Sequence, residues 1–178
     1  RARLDQEAKS PAGAAPRAAT IPKPAPAVAA PARTEGEGTR KPLGSGFQGL
    51  KWGQPSEDGM RVVHEEGETK FRTRASDELR IGNVNLSSVA YSFRLDRLEA
   101  VVIELPLTGF EPLTRHLTSE WGPPRANPER TRNVWSDPGT GPGSTQAVLE
   151  KKPDSRTARL VLSSRAAQAE RAKSRPAG

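Results

Sequence analysis

All eight aromatic residues of this 178-residue chain lie between Phe47 and Trp135, and that restriction decides where a core can form. They are Phe47, Trp52, Phe71, Tyr91, Phe93, Phe110, Trp121 and Trp135. Counting Val, Ile, Leu and Met with them, residues 1–46 hold 4 large apolar side chains and residues 47–164 hold 32. Burial of apolar surface drives folding, so only the middle segment is able to pack an interior. The charge divides at the same places. Residues 1–46 carry +4, residues 47–164 are neutral with 16 charges of each sign, and residues 165–178 carry +3. The basic balance of the chain, +7 in all, therefore belongs to its ends.

This partition gives three parts: a linker at 1–46, a globular domain at 47–164 and a basic tail at 165–178. The linker holds seven prolines between Pro11 and Pro42 among many alanines. Repeated proline fixes φ and removes donors, so the segment is expected to be a disordered, semi-rigid tether that reaches ~110 Å when fully extended. No cysteine is present, which excludes disulfides, thiolate nucleophiles and cysteine-ligated zinc. No apolar run approaches the ~20 residues of a membrane span. The chain starts at Arg1, and a signal or anchor upstream of it is expected, with contact to a membrane only through that anchor.

Within the domain, short alternating runs separated by turn residues predict strands. These are near 47–52, 60–65, 68–74, 84–94, 98–105, 131–136, 144–151 and 157–163, with a short extended piece from Leu79 to Gly82. A short helical turn after Pro55 is allowed for. Val101-Val102-Ile103 is apolar on both faces, which fits either a central covered strand or a bulge. Phe110, Leu113, Leu117 and Trp121 share one helical stripe, and Gly122-Pro123-Pro124 ends that helix. Its start is marked either by a capping box from Thr108 to Glu111 or by Glu111 as N-cap ahead of Pro112. The expected fold is α+β, an antiparallel sheet of six to seven strands with one main helix on one face. Residues 164–178 extend as a basic helix up to Pro176.

The run Phe47 to Gly53, the Tyr91/Phe93 hairpin, the helix ending Trp121-Gly122-Pro123 and the late Trp135 strand together resemble small bacterial domains of unknown function, often exported or tethered. The resemblance spans about residues 47–164. It implies a periplasmic or membrane-tethered envelope location, with the cytoplasm as the alternative, and it carries over no catalytic residue.

The sharpest local pattern is Lys70, Arg72 and Arg74, which share one face of a strand while Phe71 takes the other. Three aligned cations suit phosphate, a carboxylate or an acidic partner. Glu65, Glu66 and Glu68 on the same hairpin make cross-strand pairing the commoner explanation. Asp137 to Thr145 has the glycines of a phosphate loop but lacks the lysine and the following helix. His64 has Glu68 where a zinc helix needs a second histidine, and His116 is distant in sequence. Trp52, Trp121 and Trp135 read as packing rather than as a stacking platform. Arg94 and Glu99 are expected to oppose each other across a tight turn.

No cofactor, metal site or catalytic set is expected. The leading expectation is a non-catalytic interaction module on a tether, binding a protein or an envelope component. Nucleic acid or an anionic surface is the alternative, at most nonspecific, because the basic tails lack aromatic residues. In the C-terminal tail, Arg165, Arg171, Lys173 and Arg175 could meet anionic lipid, but alanines between them do not favour insertion. An enzyme whose residues converge only in three dimensions stays open as the third reading.

Overall fold

In the computed structural model, which describes residues 42–153 and 155–174, the alternating runs become an eight-stranded antiparallel sheet. In chain order the strands are β1 (Gly46–Phe47), β2 (Leu50–Lys51), β3 (Arg61–Glu66), β4 (Thr69–Thr73), β5 (Arg80–Ile81) and β6 (Val84–Asn85). Then follow β7 (Ser88–Arg94), β8 (Arg97–Pro106), β9 (Arg125–Ala126), β10 (Arg132–Ser136), β11 (Thr145–Lys151) and β12 (Thr157–Ser164). The helices are α1 (Phe110–Trp121), entered through a 3-10 turn at Leu107–Gly109, and α2 (Arg165–Ser174). The main sheet runs β3-β4-β7-β8-β12-β11-β10-β9, and β1/β2 and β5/β6 are separate two-stranded ladders. Most of the expected tether, residues 1–41, lies outside the described residues.

The α+β class and the main helix agree with the sequence, but the strand count is larger than the expected six to seven. Three local causes account for the difference. The expected strand at 47–52 is a tight hairpin, because Gln48 (φ 45°) and Gly49 (φ 89°) turn the chain between β1 and β2. Two consecutive positive φ values match the twist of a two-residue hairpin turn. The expected strand at 84–94 breaks after Asn85, since Arg80 and Ile81 pair with Asn85 and Val84 and draw them out of the sheet. Arg125 and Ala126 add a two-residue edge strand beside β10. No helical turn forms after Pro55.

The inner face of the sheet carries the core. Residues paired across neighbouring antiparallel strands share a face, so the register joins Val89, Ile103, Leu160 and Leu149 in one row and Tyr91, Val101, Leu162 and Ala147 in the next. All eight are buried. Helix α1 lays Phe110, Leu113 and Leu117 on this face, and Leu50 and Val84 from the small ladders, with Leu86 just after β6, belong to the same core. Full burial of such side chains is worth ~1.5–3 kcal/mol each.

Neither expected cap starts α1. Its N-cap is Gly109, with no side-chain hydrogen bond, and Glu111 lies in the first turn, where the helix dipole favours a carboxylate. At the other end Gly122 (φ 81°) turns the chain out.

Val101-Val102-Ile103 is central, and β8 also contains a bulge. Pairing passes from Ser92↔Ala100 to Phe93↔Leu98, which leaves Glu99 as the extra residue. The bulge changes the phase of β8: Leu98 faces the core, as do Val101, Ile103 and Leu105, while Glu99 and Ala100 fall on the outer side. The β7–β8 turn is Leu95-Asp96, both with positive φ.

Candidate interaction surface

Two of the three cations singled out by sequence, Lys70 and Arg72, share one face of β4, and Arg74 follows just past its end. Lys70 pairs with Phe93 and Arg72 with Tyr91 across to β7, so the face is the inner one, and Phe71, opposite Ser92, lies on the outer. Each cation has a carboxylate partner. Lys70 Nζ is 3.5 Å from Glu65, its cross-strand neighbour. Arg72 is 4.0 Å from Asp96 and lies over the Phe93 ring at 5.9 Å.

Arg74 is the most tied of the three. It donates to Asp77 at 2.8 Å, Glu57 at 3.1 Å and the Gln48 carbonyl at 2.9 Å, and it sits 5.6 Å from the Tyr91 ring centre. Burial works against its charge, but the hydrogen bonds to Asp77 and Glu57 hold its pKa above the ordinary arginine value. Tyr91, fully buried, donates to Asp77 at 2.8 Å, and burial followed by that bond pushes its pKa far above the usual tyrosine value. The network joins the loops at 48, 57 and 77 to the core strand. It fastens structure rather than leaving a cationic surface open.

The other sequence candidates separate in space. His64 is on edge strand β3, facing outward with its ring 5.6 Å from Phe71, whereas His116 is on α1 over the inner face. Among the described residues no group of three or more His, Asp or Glu is arranged to hold a metal ion. In the glycine-containing loop, Asp137 accepts from the Leu43 and Thr145 amides, which ties the connection between β10 and β11. Trp52 Nε1 donates to Thr145 Oγ1 at 2.7 Å, Trp135 Nε1 donates to the Gly122 carbonyl at 2.9 Å, and Trp121 meets Trp135 edge-on at 6.1 Å. The tryptophans close the core and its rim.

What the sequence did not reveal is the outer face of the sheet. The register aligns Ala90, Val102, Val161, Val148 and Val134 in one row across five strands. At ~4.8 Å per strand the row is about 19 Å long. All five residues are half-buried, and none belongs to the core cluster or packs against it. About 7 Å along the strands lies a second row, Glu104, Arg159, Glu150 and Arg132, in which the sign of charge alternates from strand to strand.

On the opposite flank stands α2. Ser164 caps it through Oγ to the Ala167 amide, and Gln168 donates to Ser163 Oγ at 2.6 Å and to Gln146 at 3.2 Å. Arg171 pairs with Glu99 at the bulge. Arg165 donates to the Asp137 carbonyl, so these two tail arginines are engaged by the sheet and its loops. The basic tail thus contributes a helix to the outer face. Among the described residues α2 ties to the Ser163 row, and the half-buried valine row lies between it and the charged row.

The clue in the sequence was available but weak. Val102, Val148 and Val161 each sit between two core residues, so each strand is apolar on both faces. Which valines become neighbours depends on register, which the pattern does not contain. Comparison with protein-family models, with curated proteins and with solved structures found no match for this chain.

Proposed function

We propose that this domain is a non-catalytic interaction module that binds a protein through the outer face of its sheet. The observation that carries this reading is the row of valines across the middle strands, apolar and only half-buried on a domain whose core is already closed on the other side. A contiguous apolar strip rimmed by charge is the usual composition of a binding surface, with an apolar centre and a polar edge. The cations Lys70, Arg72 and Arg74 are matched by carboxylates, which favours protein binding over the nucleic-acid or anionic-surface alternative. A bacterial envelope location, with the domain carried on the 1–46 tether, belongs to the same reading and is supported by the Pro/Ala composition of that segment.

The test is a photo-reactive amino acid placed at Val161 in the full chain, with the same probe at exposed Asp58 as control, irradiated in native lysate. Protein adducts concentrated at position 161 are expected, whatever their identity. Equal labelling at the two positions overturns the reading.

A further inference from the structure

The two edges of the main sheet differ. Strand β9 is two residues long, whereas β3 offers six, all of them exposed, with Val62 and Val63 among the exposed large apolar side chains. Its free side carries backbone groups that the β3/β4 ladder does not use. The turn between these strands is Gly67-Glu68, with positive φ at Gly67 only, and a two-residue turn of this kind is closed by a hydrogen-bonded pair, here Glu66 and Thr69. Bonded and non-bonded pairs alternate along an antiparallel ladder. His64 therefore bonds toward Phe71, while Glu65 aims its amide and carbonyl out of the sheet. The next outward ladder place, across the bulge at Val63, is Val62.

The bulge also makes this edge symmetric. Opposite Thr73, Arg72, Phe71, Lys70 and Thr69 stand Arg61, Val62, His64, Glu65 and Glu66, with Val63 as the extra residue. The ladder places are centred on His64. Val62 and Glu65 flank it on the inner face, and Arg61 and Glu66 lie one place further out on the outer face. Without the extra residue Arg61 and Glu66 would fall on opposite faces. Among the described residues neither Arg61 nor Glu66 has an ion-pair partner, whereas Glu65 pairs with Lys70.

We propose that β3 pairs with β3 of a second copy of the chain, antiparallel, about a two-fold axis normal to the sheet at His64. The pairing joins two eight-stranded sheets edge to edge and is isologous. In this register Glu65 exchanges backbone bonds with Val62 of the second copy, and Val62 with its Glu65. Both copies carry the same bulge, so the two spacings are equal. Arg61 faces Glu66 of the second copy at two symmetric places, and His64 faces its own copy. Charge at a sheet edge ordinarily repels a like strand. Here the two ends of β3 have opposite signs, so an antiparallel copy brings unlike charges together and a parallel one brings like charges together.

The helices do not obstruct this contact. The ties of α2 reach Ser163, Gln146 and Glu99 on β12, β11 and β8, and the exposure of every β3 residue leaves the edge clear. Rotation about the sheet normal keeps each outer face on its own side. The contact therefore leaves the valine row of both copies uncovered, and it is independent of the function proposed for that row.

The test is sedimentation equilibrium on the full chain from micromolar to millimolar concentration. Wild type is expected to dimerise. Arg61→Glu sets Glu against Glu66 of the second copy at two places, and Glu66→Arg sets Arg against Arg61 in the same way. Each is expected to weaken dimerisation about tenfold, because a cross-strand ion pair becomes a like-charge pair twice over. Mixing the two variants restores unlike charges at both places and is expected to restore a dimer with one copy of each, which also shows that both are folded. The double variant R61E/E66R is expected to dimerise alone. Glu65→Pro removes an amide that faces away from β4, a position where an edge strand tolerates proline, and is expected to leave a folded monomer.

A wild type that stays monomeric throughout overturns the proposal, and adducts concentrated at position 161 would stand regardless. A dimer that the charge variants do not weaken, or that mixing does not restore, overturns the register. A dimer unaffected by Glu65→Pro overturns pairing through this edge.

Discussion

Arg171 of the C-terminal helix forms an ion pair with Glu99, the residue that the β8 bulge turns onto the outer face of the sheet. Glu99 is nearly buried, and its other oxygen accepts from Arg94 Nε at 2.9 Å. The bond to Glu99 is the main reason the Arg94 pKa lies above its ordinary value. The bulge, the neighbouring strand and the tail helix thus meet at one carboxylate. Arg171 is about half exposed, so Arg171→Ala is expected to cost less than ~1 kcal/mol while loosening the last turn of α2. Arg94→Ala leaves a buried carboxylate with one partner and is expected to cost ~2–3 kcal/mol. Urea unfolding gives both energies, and amide exchange in residues 168–173 reports the helix. Equal costs for the two variants would contradict this division.

Tyr91 is the one tyrosine in the chain, so phenolate absorbance reports it alone. Its pKa is raised above the usual value of about 10 by burial and by the bond to Asp77. The native state therefore keeps a proton that the unfolded chain gives up. The sign follows from linkage: stability is intact below pH 10 and falls as pH rises above it. No phenolate signal is expected in the ordinary tyrosine range while the fold persists, and at higher pH it should appear together with unfolding. A reversible titration near pH 10 with the far-ultraviolet circular dichroism unchanged would show that the Tyr91 hydroxyl is not held as described.

Lys70 lies on β4 and Arg74 just past its end, and the two should behave differently. The Lys70–Glu65 pair is about half exposed on both sides, so Lys70→Ala should change stability by less than ~0.5 kcal/mol. Arg74 satisfies a nearly buried Asp77 side chain as well as the Gln48 carbonyl and Glu57. Arg74→Ala is expected to cost ~2–4 kcal/mol. Thermal melts of the two variants check the contrast.

A Cβ added at Gly46 would come within 1.8 Å of the Leu50 carbonyl oxygen, so the β1/β2 hairpin cannot close as it stands around an alanine. That hairpin seats Leu50 in the core, and the Trp52 amide bonds back to the Ser45 carbonyl beside it. Gly46→Ala is expected to cost ~1–3 kcal/mol. At Gly49, a Cβ meets nothing within 4 Å, so Gly49→Ala carries the backbone cost of a positive φ without a collision and should cost ~1 kcal/mol. A denaturant series on both variants separates collision from backbone strain.

Much of this architecture is legible in local pattern. The stripe Phe110, Leu113, Leu117, Trp121 places α1 within its observed bounds, and the hairpin around Gly67 follows from alternation and turn residues. The pairing of Arg94 with Glu99 is likewise readable, although it is made through a bulge. Less local features escape. Nothing between 84 and 94 signals that Val84 and Asn85 leave the sheet to pair with Ile81 and Arg80, because a strand pattern does not name its partner. The Lys70, Arg72 and Arg74 alignment is visible, but the carboxylates that answer Arg72 and Arg74 come from loops at 57, 77 and 96.

The sequence alone determined which part of the chain folds around apolar side chains, that this part is an antiparallel α+β unit, and where its main helix ends. Those properties depend on composition and on periods of two and 3.6, which are carried by neighbours along the chain. The tertiary structure alone decided that Val102, Val161, Val148 and Val134 stand in one row beside Glu104, Arg159, Glu150 and Arg132. Those residues come from four strands separated by loops and a helix. Slipping any strand by one residue would send its side chain to the other face and erase the surface.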